Sequence, residues 1–207
     1  MVQNKINAEP KRRGRPRAYD PEAALLRAMD RFWSTGYAGT SLDEISAATG
    51  MNRPSLYAAF GDKRALYLEA LAHYWRLAFA DMRAALAEDL PLNEALMRVY
   101  DGALSIYFSG DGHPRGCFVI GTAVTEAVED SEIRNSLAAG FHAFDADFEQ
   151  RLRTAIEKGE LREGADPAAL AIIATAMMHT IAIRARSGAP RADLRELARK
   201  AITVICG

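Results

Sequence analysis

Residues 36–67 have the sequence GYAGTSLDEISAATGMNRPSLYAAFGDKRALY, and this stretch predicts two short helices. Ser41 and Glu44 are typical of a capping box, because the hydroxyl can accept a backbone hydrogen bond while the carboxylate three residues later reaches back to the chain. Gly50 ends the first short helix, and Asn52 can cap the second. Two short helices joined at a glycine, after a helix that closes a small core, form a helix-turn-helix unit.

The rest of the chain also has helical periodicity and no convincing strand pattern. We therefore predict an all-α fold, with a three-helix helix-turn-helix domain followed by a C-terminal helical bundle. The clearest pattern starts near residue 130, where apolar residues recur every three or four positions up to Ile156. The predicted helices cover residues 21–35, 41–49, 53–60, 63–86, 91–108, 116–127, a segment beginning at 130 or 131, 167–186 and 192–206.

Charge is unevenly distributed along the chain. Residues 1–64 contain 11 Lys or Arg and 7 Asp or Glu, whereas residues 65–207 contain 15 and 20. A positive N-terminal part favours a polyanion as its partner. Five basic residues lie within 11–17, where Gly14 and Pro16 oppose a helix. We therefore divide the chain into three parts: a flexible basic arm (1–17), a helix-turn-helix DNA-binding domain (18–64) and a ligand-binding and dimerisation domain (65–207).

Three segments resemble the N-terminal domain of TetR-type repressors: GRPR at 14–17, GYAGTSLDEI at 36–45 and PSLYAAFGDKRALY at 54–67. The resemblance covers about residues 14–70. It implies an Ω-shaped homodimer with about nine helices per chain and a palindromic operator. The family's tyrosine and lysine that grip phosphates fall on Tyr57 and Lys63. Many relatives carry a polar or histidine residue before the phenylalanine, and this chain has Ala59 there.

The second short helix is expected to enter the major groove of double-stranded operator DNA. Asn and Arg side chains can bind base edges there, while Ser and Tyr hydroxyls can hold phosphates. The backbone N–H groups at the start of the first short helix favour a phosphate, and the basic arm can follow the minor groove or the backbone. The predicted DNA contacts are Arg15, Arg17, Thr40, Ser41, Asn52, Arg53, Pro54, Ser55, Tyr57 and Lys63.

The C-terminal part contains many aromatic and methionine side chains, most of which we expect in the core. Some can line an apolar site between helices for a small, partly hydrophobic effector. The candidates are Phe79, Met82, Tyr100, Tyr107, Cys117, Phe118, Phe141, Phe144 and Met178. Helix 167–186 is apolar nearly all round. We therefore predict a homodimer in which this helix and helix 192–206 pack against the same two helices of a second copy.

Cys117 leaves two interpretations open. It follows Arg115 and begins a predicted helix, and both features would lower the pKa of the thiol and suit a redox or electrophile sensor. The other interpretation, which we favour, is a small buried residue with no chemistry of its own.

Other functional classes find less support in the sequence. The four histidines are scattered and the two cysteines lie far apart, so we expect neither a metal site nor a cofactor. No constellation of catalytic residues motivates an enzyme. No apolar stretch follows the N-terminal basic residues, as a secretion signal would require, and we expect a cytoplasmic protein without a membrane span. A helical protein that binds small molecules or partners without regulatory DNA binding stays open as an alternative.

Overall fold

The computed structural model describes residues 20–110 and 112–207, and every regular element in these two ranges is helical. The predicted all-α fold is confirmed. A π-helical segment, Val119–Ala123, leads directly into the sixth α-helix. The α-helices are α1 (Pro21–Gly39), α2 (Leu42–Thr49), α3 (Arg53–Phe60), α4 (Lys63–Ala87), α5 (Leu92–Tyr107), α6 (Val124–Glu126), α7 (Ser131–Glu157), α8 (Pro167–Arg186) and α9 (Arg191–Cys206).

Most helices begin where a polar side chain accepts hydrogen bonds from the backbone N–H groups of the first turn. Such a cap stabilises a helix by about 1 kcal/mol, because those N–H groups have no partner inside the helix. The predicted capping box at Ser41 and the predicted cap at Asn52 are confirmed. The capping residues are Asp20, Ser41, Asn52, Asp62, Asp130 and Asp166.

One predicted helix boundary and one predicted helix type differ from the structure. Gly36 has a φ of 77° and interrupts α1 as expected, but the chain makes a further turn up to Gly39. The predicted helix over 116–127 instead has π-helical hydrogen bonding in its first half. Thr122 accounts for this locally, since its hydroxyl bonds to the Phe118 carbonyl at 2.8 Å and to the Tyr67 hydroxyl of α4 at 2.8 Å. A side chain from another helix therefore fixes this segment, which sequence periodicity does not report.

The helices of the N-terminal part share a core with the rest of the chain. Trp33 on α1 packs edge-on against Tyr74 of α4, with ring centroids 5.2 Å apart, and against Phe118, at 5.6 Å. Phe32 packs in the same way against Tyr67 at 5.1 Å. Edge-to-face pairs add about 0.5–1.5 kcal/mol each to the burial of the rings. α1 is therefore anchored on α4 and on the π-helical segment.

α8 packs against α5, α7 and α9. It is long and apolar enough to cross a membrane by length and composition alone, a test that core helices also pass. Large apolar side chains remain exposed on α8 at Ile172, Ile173 and Ile183, and on α9 at Val204. These four residues are called the α8–α9 apolar face below.

Gly140 permits the close approach of α7 to α4. A Cβ atom at this position would lie 2.3 Å from Cζ2 of Trp75, so Gly140→Ala must displace the indole ring. We expect this substitution to lower the free energy of unfolding by about 1–3 kcal/mol in urea denaturation, as overpacking does. Gly102→Ala is the matched control, because nothing lies within 4 Å of a Cβ there and alanine favours the helix. Equal urea midpoints for the two variants would contradict this packing.

Candidate nucleic-acid interface

α2 and α3 form the predicted helix-turn-helix. Ser41 accepts a hydrogen bond from the Glu44 N–H at 3.2 Å, and Glu44 accepts one from the Ser41 N–H at 2.8 Å. Glu44 also pairs with Arg31 of α1 at 2.9 Å. The Ser41 backbone, the Ser41 hydroxyl and Arg31 together lower the pKa of Glu44. The start of α2 is therefore fixed both to its own first turn and to α1, and Gly50, at a φ of 70°, turns the chain into α3.

α3 presents its predicted contact residues to solvent. Asn52, Arg53 and Pro54 are exposed, and Tyr57 is 50% exposed although its neighbour Leu56 is buried in the core. Ser55 is half-buried. Asn52 accepts the Ser55 N–H at 2.9 Å through its carbonyl oxygen, so its amide NH₂ group is left as a donor at the surface.

Arg53 is held by an ion pair within the domain. Its guanidinium donates to both carboxylate oxygens of Asp43 on α2, at 3.0 and 2.8 Å. Both side chains are more than half exposed, so this pair contributes little to stability. The arginine can therefore exchange the carboxylate for an acceptor on a ligand at small cost.

Lys63 begins α4 beside this surface. Its ammonium lies 4.4 Å from the ring centroid of Tyr37, which in turn packs against Phe32 and Tyr67. A cation over an aromatic face is stabilised electrostatically, so the ring orients the lysine. Tyr37 was not among the predicted residues, and only its place in the motif GYAGTS points to it.

Thr40 is not part of the exposed surface. Thr40 is only 1% exposed, and its hydroxyl donates to the Gly36 carbonyl at 2.6 Å and bonds to the Thr35 hydroxyl at 2.7 Å. It closes the corner between α1 and α2, and its buried hydroxyl is not available to a phosphate, so its prediction as a DNA contact is corrected.

The basic arm, with Arg15 and Arg17, lies outside the described residues. Residues 20–64 hold five Lys or Arg against six Asp or Glu, and the positive excess of the N-terminal part therefore resides in 1–19.

Sequence comparison agrees with this geometry. Residues 25–70 match the family model described as bacterial regulatory proteins, tetR family. Residues 94–202, more than half of the chain, match the model described as tetracyclin repressor-like, C-terminal domain. The chain belongs to the TetR family. It is therefore a member of a family of DNA-binding transcriptional regulators, as the resemblance of its N-terminal segments implied.

Named relatives align with nearly the whole length of this chain. The HTH-type transcriptional repressor ComR of Escherichia coli (strain K12) is 31% identical over 198 residues, which are 96% of this chain and 94% of ComR. A cysteine mutant of the TetR family regulator CifR, complexed with 26-bp double-strand operator DNA, is 34% identical, with a TM-score of 0.82 over 91% of this chain and 98% of that one. The reduced form of E. coli NemR, at 19% identity and a TM-score of 0.77 over 90% of this chain and 96% of that one, shares the fold.

The C-terminal part of this TetR-family chain contains a cavity of about 40 Å³. It lies between α4, α5, α7 and α8 and the start of the π-helical segment. Six of the nine predicted ligand-binding residues line it: Met82, Tyr107, Cys117, Phe141, Phe144 and Met178. Tyr74, Trp75 and His179 line it as well, and the sequence carried no signal that separated them from ordinary core residues.

The other three predicted residues do not line the cavity. Tyr100 and Phe118 are fully buried in the core, and the Tyr100 hydroxyl donates to the Ala174 carbonyl at 3.1 Å. Phe79 packs outside the cavity lining, on the rings of Trp75 and Phe144. Helical periodicity indicates which side chains face inward, but whether they meet another side chain or a void depends on the opposing helix.

Besides the charged residues Asp81 and Arg98, the cavity wall carries polar groups whose neutral forms are favoured by burial. The Tyr74 hydroxyl donates to Sγ of Cys117 at 3.2 Å. Burial raises the pKa of the Cys117 thiol despite hydrogen bonds from Tyr74 and from backbone N–H groups, and burial likewise raises the pKa of Tyr74 and Tyr107. Burial lowers the pKa of His179, whose Nε2 has no hydrogen-bond partner within the described ranges.

The geometry disfavours the alternative interpretation, in which Arg115 activates Cys117, because the Arg115 guanidinium pairs with Asp30 of α1 at 2.6 Å. The N–H groups at the start of the helical segment do favour the thiolate, as expected, but desolvation outweighs them.

The raised pKa predicts a slow thiol. In a Cys206→Ser protein, Cys117 should react with iodoacetamide at pH 7 at least about 10-fold more slowly than the same thiol in urea, because both the thiolate fraction and access are reduced. The half-point of its rate against pH should lie above that of a free cysteine. Fast alkylation at pH 7, with a half-point below that of free cysteine, would contradict the assignment. Alkylation is followed by intact-mass spectrometry.

Proposed function

We propose that this chain is a cytoplasmic, ligand-responsive repressor that binds a palindromic operator as a homodimer. It releases the operator when a small, partly hydrophobic effector enters the cavity. The observation that carries the proposal is the exposed surface of α3 and its cap, with Asn52 and Tyr57 exposed on a helix-turn-helix whose other face is buried. The repressor name of ComR and the operator complex of CifR support the same role.

The division of DNA contacts follows from chemistry. Asn52 and Arg53 offer the donors that bind base edges, whereas Ser55, Tyr57 and Lys63 offer hydroxyl and ammonium groups for phosphates. Ser41 and Pro54 lie at the helix starts beside them, and the basic arm with Arg15 and Arg17 supplies most of the charge. Asp43 competes for Arg53 in the free protein, so binding of DNA must exchange one acceptor for another.

The DNA-binding role is tested by titration against the duplex immediately upstream of the chain's own coding region, with an unrelated duplex alongside, at two salt concentrations. Lys63→Ala should weaken binding to both duplexes and reduce the slope of log affinity against log salt by about 1, because one phosphate contact is lost. Lys158→Ala is the matched control, an exposed lysine of the C-terminal part that pairs with Asp89. Binding of the folded protein to neither duplex at low salt would overturn the repressor proposal in favour of a partner-binding protein without regulatory DNA binding.

The proposed homodimer uses the α8–α9 apolar face. Ile172 is 60% exposed and Ile183 54% exposed on one side of α8, and Val204 of α9 is 74% exposed. Exposed apolar side chains of this size on two neighbouring helices favour an interface between copies, and a two-fold dimer matches the symmetry of a palindromic operator.

Ile183→Glu should raise the dimer dissociation constant roughly 100-fold, because a charge placed in an apolar interface must lose its hydration. Sedimentation velocity over a range of protein concentrations measures the change. Leu77→Glu is the matched control, since Leu77, like Ile183, is a half-exposed aliphatic side chain but lies on α4. Identical dissociation constants for the two variants would place the interface elsewhere.

The cavity favours a small, partly hydrophobic effector. Its volume of about 40 Å³ leaves room for only a few water-sized groups before side chains must move. Its wall is largely aromatic and aliphatic, with Tyr74, Tyr107 and His179 as polar side chains and Asp81 and Arg98 as charged ones. Oxidation or alkylation of Cys117 is the alternative trigger. Burial of the thiol disfavours it, and an unchanged response of Cys117→Ser to the effector would remove it.

A further inference from the structure

The segment that follows α5 connects the cavity to α1 over three residues. Cys117 lines the cavity, while Arg115, two residues earlier, contacts α1. Between them, Gly116 has a φ of 65°, and a Cβ atom there would lie 2.5 Å from the Ala182 carbonyl oxygen of α8. The segment therefore runs in close contact with α8 and has little freedom to move at one end without the other.

Arg115 contacts α1 through an ion pair and through a cation–π interaction. Its Nη1 donates to the Asp30 carboxylate at 2.6 Å, and its guanidinium lies 4.4 Å from the ring centroid of Trp33. Its Nε and Nη2 donate to the carbonyl and hydroxyl oxygens of Ser109, at 3.0 and 2.9 Å. All three guanidinium nitrogens are thus committed, and the side chain is rigidly oriented between α1 and its own loop.

α8 completes the junction. Nη1 of Arg186 donates to the Trp33 carbonyl of α1 at 3.2 Å and to the Arg115 carbonyl at 3.0 Å. Trp33 is also packed edge-on against Tyr74, the residue whose hydroxyl bonds to Cys117. A displacement of the cavity wall at Cys117 or Tyr74 thus meets Arg115 and Trp33 directly.

We propose that Arg115 is a positioning residue for DNA binding: it holds α1, and with it α2 and α3, in an orientation that depends on whether the cavity is occupied. This rests on the proposed repressor function and names the contact through which the cavity acts. An effector that pushes Cys117 outward moves Arg115 and weakens its contacts with Asp30 and Trp33. The helix-turn-helix then leaves its DNA-binding orientation.

The first test removes the contacts of Arg115 with α1. Arg115→Gln should accelerate amide hydrogen exchange in α1, α2 and α3 by roughly 3- to 10-fold and leave α9 unchanged, because a local anchor is lost while the bundle stays folded. Arg83→Gln is the matched control. Arg83 also pairs with an aspartate, Asp147 at 2.7 Å, and stacks on a ring, Phe79 at 5.1 Å, but within the C-terminal part. Unchanged exchange in α1–α3 of Arg115→Gln, or equal acceleration by Arg83→Gln, would overturn the proposal.

The second test fills the cavity without a ligand. Cys117→Met adds apolar volume at the cavity wall, and Cys117→Ser keeps the original size. Cys117→Met should accelerate exchange in α1–α3 by roughly 3- to 10-fold in the native background, but by less than about 2-fold when combined with Arg115→Gln, because effects on one pathway are not additive. Cys117→Ser should leave exchange near that of the unsubstituted protein. The full acceleration by Cys117→Met in both backgrounds would show that Arg115 does not carry the signal.

DNA binding separates this proposal from the one on which it rests. If the unsubstituted protein binds the upstream duplex, Arg115→Gln and Cys117→Met should each weaken that binding roughly 3- to 10-fold and Arg83→Gln should not. Unaltered affinity in Arg115→Gln would overturn the role of Arg115 while leaving the repressor intact. If the unsubstituted protein binds neither duplex, the repressor proposal fails, and the exchange measurements still decide whether Arg115 holds α1.

Discussion

The packing of Trp33 against Tyr74 and Phe118 is the contact on which the rest of the structure depends. Trp33 belongs to the first helix of the DNA-binding part, Tyr74 to the long helix that leaves it, and Phe118 to the segment beside the cavity. Because close-packed cores respond to strain by switching between arrangements rather than by deforming smoothly, a shared core transmits a change at one side to the other. The helix-turn-helix and the cavity are thus parts of one packed unit.

In the candidate DNA-binding part, the excess positive charge and the exposed helix α3 lie in different segments of the chain. Residues 20–64 carry no positive excess, and Asp43 lies directly on Arg53. A phosphate that approaches α3 nonspecifically meets this carboxylate, whereas a ligand with well-placed acceptors can take its place. Under the proposed DNA-binding role, general attraction to DNA is assigned to the basic residues of 1–19 and discrimination to α3, which is the division between backbone contacts and base contacts.

The features that could be predicted from the sequence depend on neighbours in the chain. The Ser41–Glu44 box, the Asn52 cap and the turn at Gly50 each use residues within a few positions of one another, so local chemistry determines them. The errors concern contacts between distant residues. Arg115 precedes Cys117 in the chain but points to Asp30, 85 positions earlier. Thr40 is an exception, because its partners, Thr35 and the Gly36 carbonyl, are close in the chain; its residue type is common at exposed helix caps, and its burial is not evident from that type. Tyr100 and Phe118 have the same helical spacing as the residues that do line the cavity.

The most direct test of a shared core is native-state hydrogen exchange at low denaturant. The slowest amides of α1, around Phe32 and Trp33, and those of α5, around Leu96 and Tyr100, should converge on one free energy of opening as urea is added, because both lie in the same core. Convergence would mean that the DNA-binding helices unfold only with the cavity-bearing bundle. Opening of α1 at a distinctly lower free energy, with its own smaller urea dependence, would contradict the shared core and leave the cavity without a rigid connection to the DNA-binding surface.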